Sequence, residues 1–272
     1  MAEQPPIETI VRESNRAARA EAQALVSELR AGGDAAWNAP TACADWAAKD
    51  AVVHLILAIS FHSAATHAAL DGQPPPALDP ELARSATAQL HALPRDAVLD
   101  MFTERNEDYC EYLDSLDVAA LPTPVDLSYH TFPVWQLALV RLNELLLHHW
   151  DVRAGRQPDA RLDSDGVPLA LDLSLGGAGL LATHGEKTPG TWQLDVQGAG
   201  GGPVIVQVQD EQASARRGTA ERPDVRLALA AEALLRLFWG RLDLGAAIDG
   251  GQVRLDGDRG KALALQRLFP GV

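Results

Sequence analysis

Between Asn143 and Asp151 the chain sets Glu144 and His148 four residues apart inside an apolar run formed by Leu142, Leu145, Leu146 and Leu147. A helix has about 3.6 residues per turn, so a carboxylate and an imidazole at this spacing stand one turn apart on one face. Asp151 falls on nearly the same face. Such a pair has two readings: a solvated or capping couple, or two ligands of one cation. The leucines favour the second, because charged groups drawn into an apolar setting are normally paired or metal-bound. A catalytic zinc takes about three protein ligands and keeps a fourth place open, so a third group has to come from elsewhere. His54 is the candidate, although a lone histidine is also read as a core-edge imidazole bonded to a carbonyl.

A site of this kind needs facing helices, and the first half of the chain supplies them. Ile7, Ile10, Val11, Ala18, Ala22, Leu25 and Leu29 recur at threes and fours, predicting a helix from Ile7 to Leu29 that Gly32 and Gly33 stop. A second runs from Asp45, taken as its N-cap, to Leu70, with Asp71-Gly72 as the stop and His54 in its N-terminal half. Pro74-Pro75-Pro76 makes a stiff connection to a short helix around Glu81 to Leu90. Two more long helices follow, Asp96 to Leu116 and Pro133 to Ala154, the latter ended by Gly155. Together they predict an antiparallel four-helix bundle, whose metal sites are built from inward side chains of facing helices.

Past Leu162 the texture changes. Val167 to Leu181 reads as a glycine-interrupted helix, and two β-branched segments, Thr191 to Gln197 and Val204 to Gln209, flank the Gly198–Gly202 cluster as a hairpin does. A strand from Asp224, a helix from Ala230 to Trp239, a strand at Val253 and a closing helix from Lys261 to Phe269 complete an α+β module. Neither glycine cluster has the residues of a phosphate-binding loop or a dinucleotide fingerprint. The 272 residues therefore divide into two domains, 1–160 and 161–272, joined by a link expected to be exposed between Gly155 and Asp165. A net charge of -14 argues against nucleic acid and anionic membranes as partners. With no basic leader at Met1–Pro6, no membrane-length apolar run, and Cys43 and Cys110 isolated, the chain is expected to be cytoplasmic, a monomer or homodimer, and without a cysteine-built metal site.

The pattern Asp45-Trp46…Asp50-x-x-x-His54, followed by Glu144-x-x-x-His148-x-Trp150-Asp151, resembles the mycothiol-dependent maleylpyruvate isomerase family over about residues 5 to 160. The stretch carrying Pro223-Asp224, Glu232, Gly240-Arg241, Gly251, Gly257-Asp258 and Leu268-Phe269 is similar to the sterol-carrier-protein-like domain that often follows. The resemblance implies a DinB-like bundle with His54, Glu144 and His148 as ligands of a divalent metal, zinc being the expected ion, and mycothiol as thiol cosubstrate. It implies that the metal activates the thiol as thiolate for attack on an electrophilic small molecule. The outcome expected first is S-transfer; the alternatives are cis–trans isomerisation of the maleylpyruvate type and a non-enzymatic protein that binds a small ligand. A water-activating hydrolase is disfavoured, since no general base like the Glu of H-E-x-x-H accompanies the ligands. Asp151 is read as the acceptor for the other N–H of His148, with an ion pair to Arg153 as the alternative. Arg241 is ranked first among the arginines for an anionic group of substrate or thiol, ahead of Arg222, Arg84 and Arg141, its plain alternative being a helix-end side chain. The second domain is expected to roof the metal pocket partly.

Overall fold

The computed structural model describes residues 5–157 and 159–271, so the first four positions of the leader reading at Met1–Pro6 lie outside the described residues. The chain divides into two compact units, residues 1–160 and 161–272. The link is not open chain: Ala160 and Leu162 are both buried. Trp150 Nε1 donates to the Ala160 carbonyl at 2.9 Å and the Leu162 amide to Glu232 Oε2 at 3.4 Å, while Arg156, Gln157, Asp159, Arg161, Asp163 and Asp165 are exposed.

The first unit contains α1 (Ile7–Trp37), α2 (Ala48–Leu70), α3 (Pro80–His91), α4 (Arg95–Ser115) and α5 (Val134–Ala154), with a hairpin of β1 (Pro124–Asp126) and β2 (Thr131–Pro133) ahead of α5. The hairpin went unread in the sequence because each strand is only three residues long. Gly33 takes a left-handed φ of 62° where the stop was read, but the chain resumes helix to Trp37. Asp45 is not the cap of α2. It holds a φ of 64° in a tight turn, and Asp50 caps instead, accepting the Ala47 amide at 2.7 Å. Asp79 caps α3 through the Glu81 and Leu82 amides.

Within the bundle α1 and α2 each lie against both α4 and α5, which puts α1 diagonal to α2. Paired contacts give the directions. Arg19 meets Glu107 and Arg95 meets Asp34, so α1 and α4 are antiparallel; Ser60 meets Arg105 and Thr66 meets Tyr109, so α2 and α4 run the same way, with α3 in the crossover between them. The helix that decides the site is α5. Leu137, Leu142, Leu145 and Leu146 are fully buried, each stabilising the fold by about 1.5–3 kcal/mol. Burial extends around nearly the whole circumference, so the polar residues of α5 have to be accommodated inside the bundle. Although α2 is long and apolar enough to cross a membrane by length and composition, half of its most apolar window is buried in the unit.

The second unit has α6 (Val167–Gly176), α7 (Ala178–Leu181), β3 (Gly190–Gln197), β4 (Gly202–Gln209), β5 (Gln212–Arg217), β6 (Val225–Ala230), α8 (Ala231–Phe238), α9 (Leu244–Asp249), β7 (Arg254–Gly257) and α10 (Arg259–Leu268). The sheet order is β5-β4-β3-β6-β7, with β3 and β6 parallel and the other pairs antiparallel. Gly198, Gly200 and Gly202 all take positive φ in the β3–β4 turn. Trp192, Leu194, Val196, Val204, Val206, Leu227 and Leu229 share one buried sheet face, while β5, an exposed edge strand without an apolar alternation, and the six-residue α9 were not read from the sequence.

Candidate metal centre

Four polar residues of α5, Arg141, Glu144, His148 and Asp151, lie at threes and fours and so share the side of the helix that the bundle encloses. His148 Nδ1 lies 3.0 Å from Asp151 Oδ2, and the Asp151 residue is 1% exposed. A carboxylate only accepts, so Nδ1 carries the proton and the Nε2 lone pair is the one left for another partner. This is the geometry by which a carboxylate fixes the tautomer and orientation of a ligating histidine.

From α2, His54 approaches to a ring-centre distance of 4.8 Å from His148, the rings nearly perpendicular. Trp46, in the turn before α2, lies against both, at 5.2 Å from His54 and 5.7 Å from His148. Burial, and then the neighbouring His148, push the His54 pKa down to about 4 against the opposing pull of Glu144. His54 is therefore a neutral imidazole with a lone pair at physiological pH.

Glu144 completes the set. Its Oε2 is buried and has no hydrogen-bond partner. The nearest cation is Arg141, whose Nη1 is 3.8 Å away, an ion-pair distance beyond hydrogen bonding. Arg141 is itself 1% exposed, with its guanidinium 5.6 Å over the Phe102 ring and its Nε donating to Asn106 Oδ1 at 3.1 Å. Burial pushes its pKa down to about 10. An orphaned buried carboxylate oxygen costs on the order of 1–3 kcal/mol or more. With the imidazoles of His54 and His148 it offers two nitrogens and one oxygen, a type of donor set that suits a divalent cation such as zinc.

The cysteine expectation is corrected. Cys43 Sγ donates to Asp151 Oδ2 at 3.0 Å, and Cys43, His148 and Asp151 offer ligand atoms within 4.8 Å of one another. The turn bearing Cys43 is seated on the end of α5 through the Ala42 amide, which donates to the Asp151 carbonyl at 2.9 Å. Gly155 permits this: a Cβ there would lie 2.0 Å from the Pro40 carbonyl oxygen. Among the described residues Cys43, His148 and Asp151 are the group whose ligand atoms come within 4.8 Å of one another, and these atoms already satisfy one another by hydrogen bonds; His54, Glu144 and His148 do not form such a group, while Glu144 Oε2 is unsatisfied.

His149 faces the other way. Its Nδ1 and Nε2 meet Glu21 at 2.6 Å and Glu28 at 3.2 Å, clasping α5 to α1. His62, two turns beyond His54, is buried with Nδ1 unpartnered and its pKa lowered by burial; the helical spacing from His54 was the signal available for it. Arg241 lies in the second unit, in the turn after α8, where Nη1 donates to the Trp239 carbonyl at 3.0 Å.

The pattern of the family described as mycothiol maleylpyruvate isomerase N-terminal domain matches residues 16–153, and that of the SCP-2 sterol transfer family matches residues 177–270. Crystal structures of a mycothiol-dependent maleylpyruvate isomerase and of a histidine-to-alanine mutant of it share the fold. Each has a TM-score of 0.62 at 14% identity and covers 88% of this chain and 90% of its own. A solution structure of palmitated SCP2L2 from Aedes aegypti aligns at 24% identity over 39% of this chain and 95% of its own, with a TM-score of 0.31. No curated protein matches the chain.

Proposed function

The chain belongs to the mycothiol maleylpyruvate isomerase N-terminal domain family, and from that premise we propose a thiol-dependent metalloenzyme of the maleylpyruvate isomerase type. In this reading His54, Glu144 and His148 hold one divalent cation, with zinc the ion their donor set suits. Bound there, it supplies a Lewis acid that favours the deprotonated form of a low-molecular-weight thiol, mycothiol in this proposal. The remaining work falls to the side chains. Asp151 keeps the proton of His148 on Nδ1, Trp46 walls the two imidazoles, and the buried leucines of α5 keep water from competing with the charges inside. Arg241 is proposed to contact an anionic group of the substrate or thiol.

A thiolate adding to an electrophilic unsaturated carbon forms the step shared by two outcomes. When the sulfur leaves again after rotation about the former double bond, the product is the trans isomer; when it stays, the product is the S-conjugate. The observation that carries the reading is the approach of the His54 and His148 rings to 4.8 Å, with a buried, unpartnered Glu144 Oε2 one turn before His148 on the same helix. Its test is metal analysis of the purified protein, followed by cobalt substitution and titration with mycothiol. Sulfur-to-cobalt charge-transfer absorption, together with thiol-dependent isomerisation of maleylpyruvate, supports it. A cobalt spectrum that no thiol perturbs, with no thiol-dependent turnover, overturns it in favour of a small-ligand-binding protein.

A further inference from the structure

The sheet of the second unit has a second face, opposite to Trp192, Leu194 and Val206. Its register places Thr191, Gln193, Ile205, Gln207 and Arg216 together there. Two of these are nevertheless buried: Gln193 is 0% and Ile205 2% exposed. The cause is the segment between β5 and β6, which crosses over them. Its backbone is pinned at three points, each at 2.8 Å: Gly218 N to the Pro203 carbonyl, Ala220 N to Gln193 Oε1, and Asp224 N to the Thr191 carbonyl. Gly218 has a φ of 141°, and a Cβ there would lie 3.1 Å from Arg216 Nη1, so glycine is what lets the strap pass over that guanidinium.

Between strap and sheet lies a cavity of about 380 Å³, a size that suits a small molecule. Arg216 and Arg222 line it together with Thr191, Gln207, Thr219 and Ala220, and the nearly buried Ile205 lies at its base. Glu221 is its one carboxylate, so two guanidinium charges less one carboxylate leave the lining at +1. Neither Arg216 nor Arg222 forms an ion pair among the described residues, although the chain carries a net charge of -14 and Arg217, Arg259 and Arg267 of the same unit are paired.

We infer that this cavity is a binding site for a small organic monocarboxylate, distinct from the metal centre. The guanidinium forks match a carboxylate in geometry, and the net +1 of the lining suits a monoanion. Inorganic phosphate shares the oxyanion chemistry but as a dianion carries more charge than a lining of +1 balances. Because the strap is already pinned by its hydrogen bonds, little ordering is needed on binding.

The test is a titration of the ¹⁵N-labelled full chain with benzoate, following the backbone amides of Gly218 and Ala220. The expected result is a saturable shift at millimolar benzoate, with phosphate binding at least about tenfold more weakly. The exposed double replacement Arg216→Gln with Arg222→Gln weakens benzoate binding by at least about tenfold, and Glu221→Gln tightens it. Far-UV circular dichroism and bound metal stay unchanged in these variants. Absence of a saturable shift up to about 50 mM, equal binding of phosphate, or full binding by the double variant overturns the inference. None of these outcomes depends on whether the metal centre works as proposed.

Discussion

His148 gives its Nδ1 proton to Asp151 at 3.0 Å, three residues further along the same helix, so the ring that faces His54 has its tautomer decided from behind. In the proposed reading that relationship makes Asp151 a lever on a cation that it never has to touch. Replacing Asp151 by Ala lowers metal affinity by about 10–100-fold while Glu144 remains in place. Competition with a chromogenic chelator measures the change. Unaltered affinity would remove Asp151 from the site.

The two histidine-centred clusters make opposite predictions. With the cation on His54, Glu144 and His148, Glu144→Ala and His54→Ala lose bound metal while helix content holds, and Cys43→Ser keeps it. Elemental analysis of the three purified variants decides. Loss in Cys43→Ser with retention in Glu144→Ala would move the cation to Cys43, His148 and Asp151.

Gly155 is where the turn carrying Cys43 and Trp46 presses on α5. Gly155→Ala forces a Cβ to 2.0 Å from the Pro40 carbonyl oxygen, backbone that cannot yield as a side-chain tip would. The expected cost is about 1–3 kcal/mol, with weaker metal binding as the turn is pushed away from Asp151. Chemical denaturation with metal titration checks both; an unchanged midpoint would mean that the turn is not seated as described.

The clasp of His149 on Glu21 and Glu28 sets a pH window. Burial acts to lower the His149 pKa, but the bonds to the two carboxylates leave it raised above the ordinary 6.5, so its contribution is full below 6.5 and fades as pH rises through the folded value. Glu28 is lowered below 4.5, chiefly by its bond to His149, so its contribution is full above 4.5 and fades as pH falls. The clasp is strongest between the two ordinary values. His149→Gln should therefore lower Tm most near pH 5.5, by a few degrees for about 1 kcal/mol, with a much smaller difference at pH 9. A difference that does not vary with pH would assign His149 a packing role only.

What the sequence determined by itself is local and periodic. The apolar repeats of the first half, the stops at Gly33, Gly72 and Gly155, and the glycine turn between β3 and β4 are each written in a short window, because helix and turn chemistry act over a few residues. The same locality made Glu144, His148 and Asp151 legible as one face of one helix. The caps were less legible: Asp45 and Asp50 are both plausible by residue type, and only the left-handed φ of Asp45 separates them. The tertiary structure alone decided the rest. It brought Cys43 onto Asp151 across 108 positions, put the Arg141 guanidinium over the Phe102 ring, and laid the strap from Gly218 over Gln193. Such contacts leave no period in the sequence, since a hydrogen bond between distant segments is set by how packed helices and sheet register bring them together, and nothing in either segment names its partner.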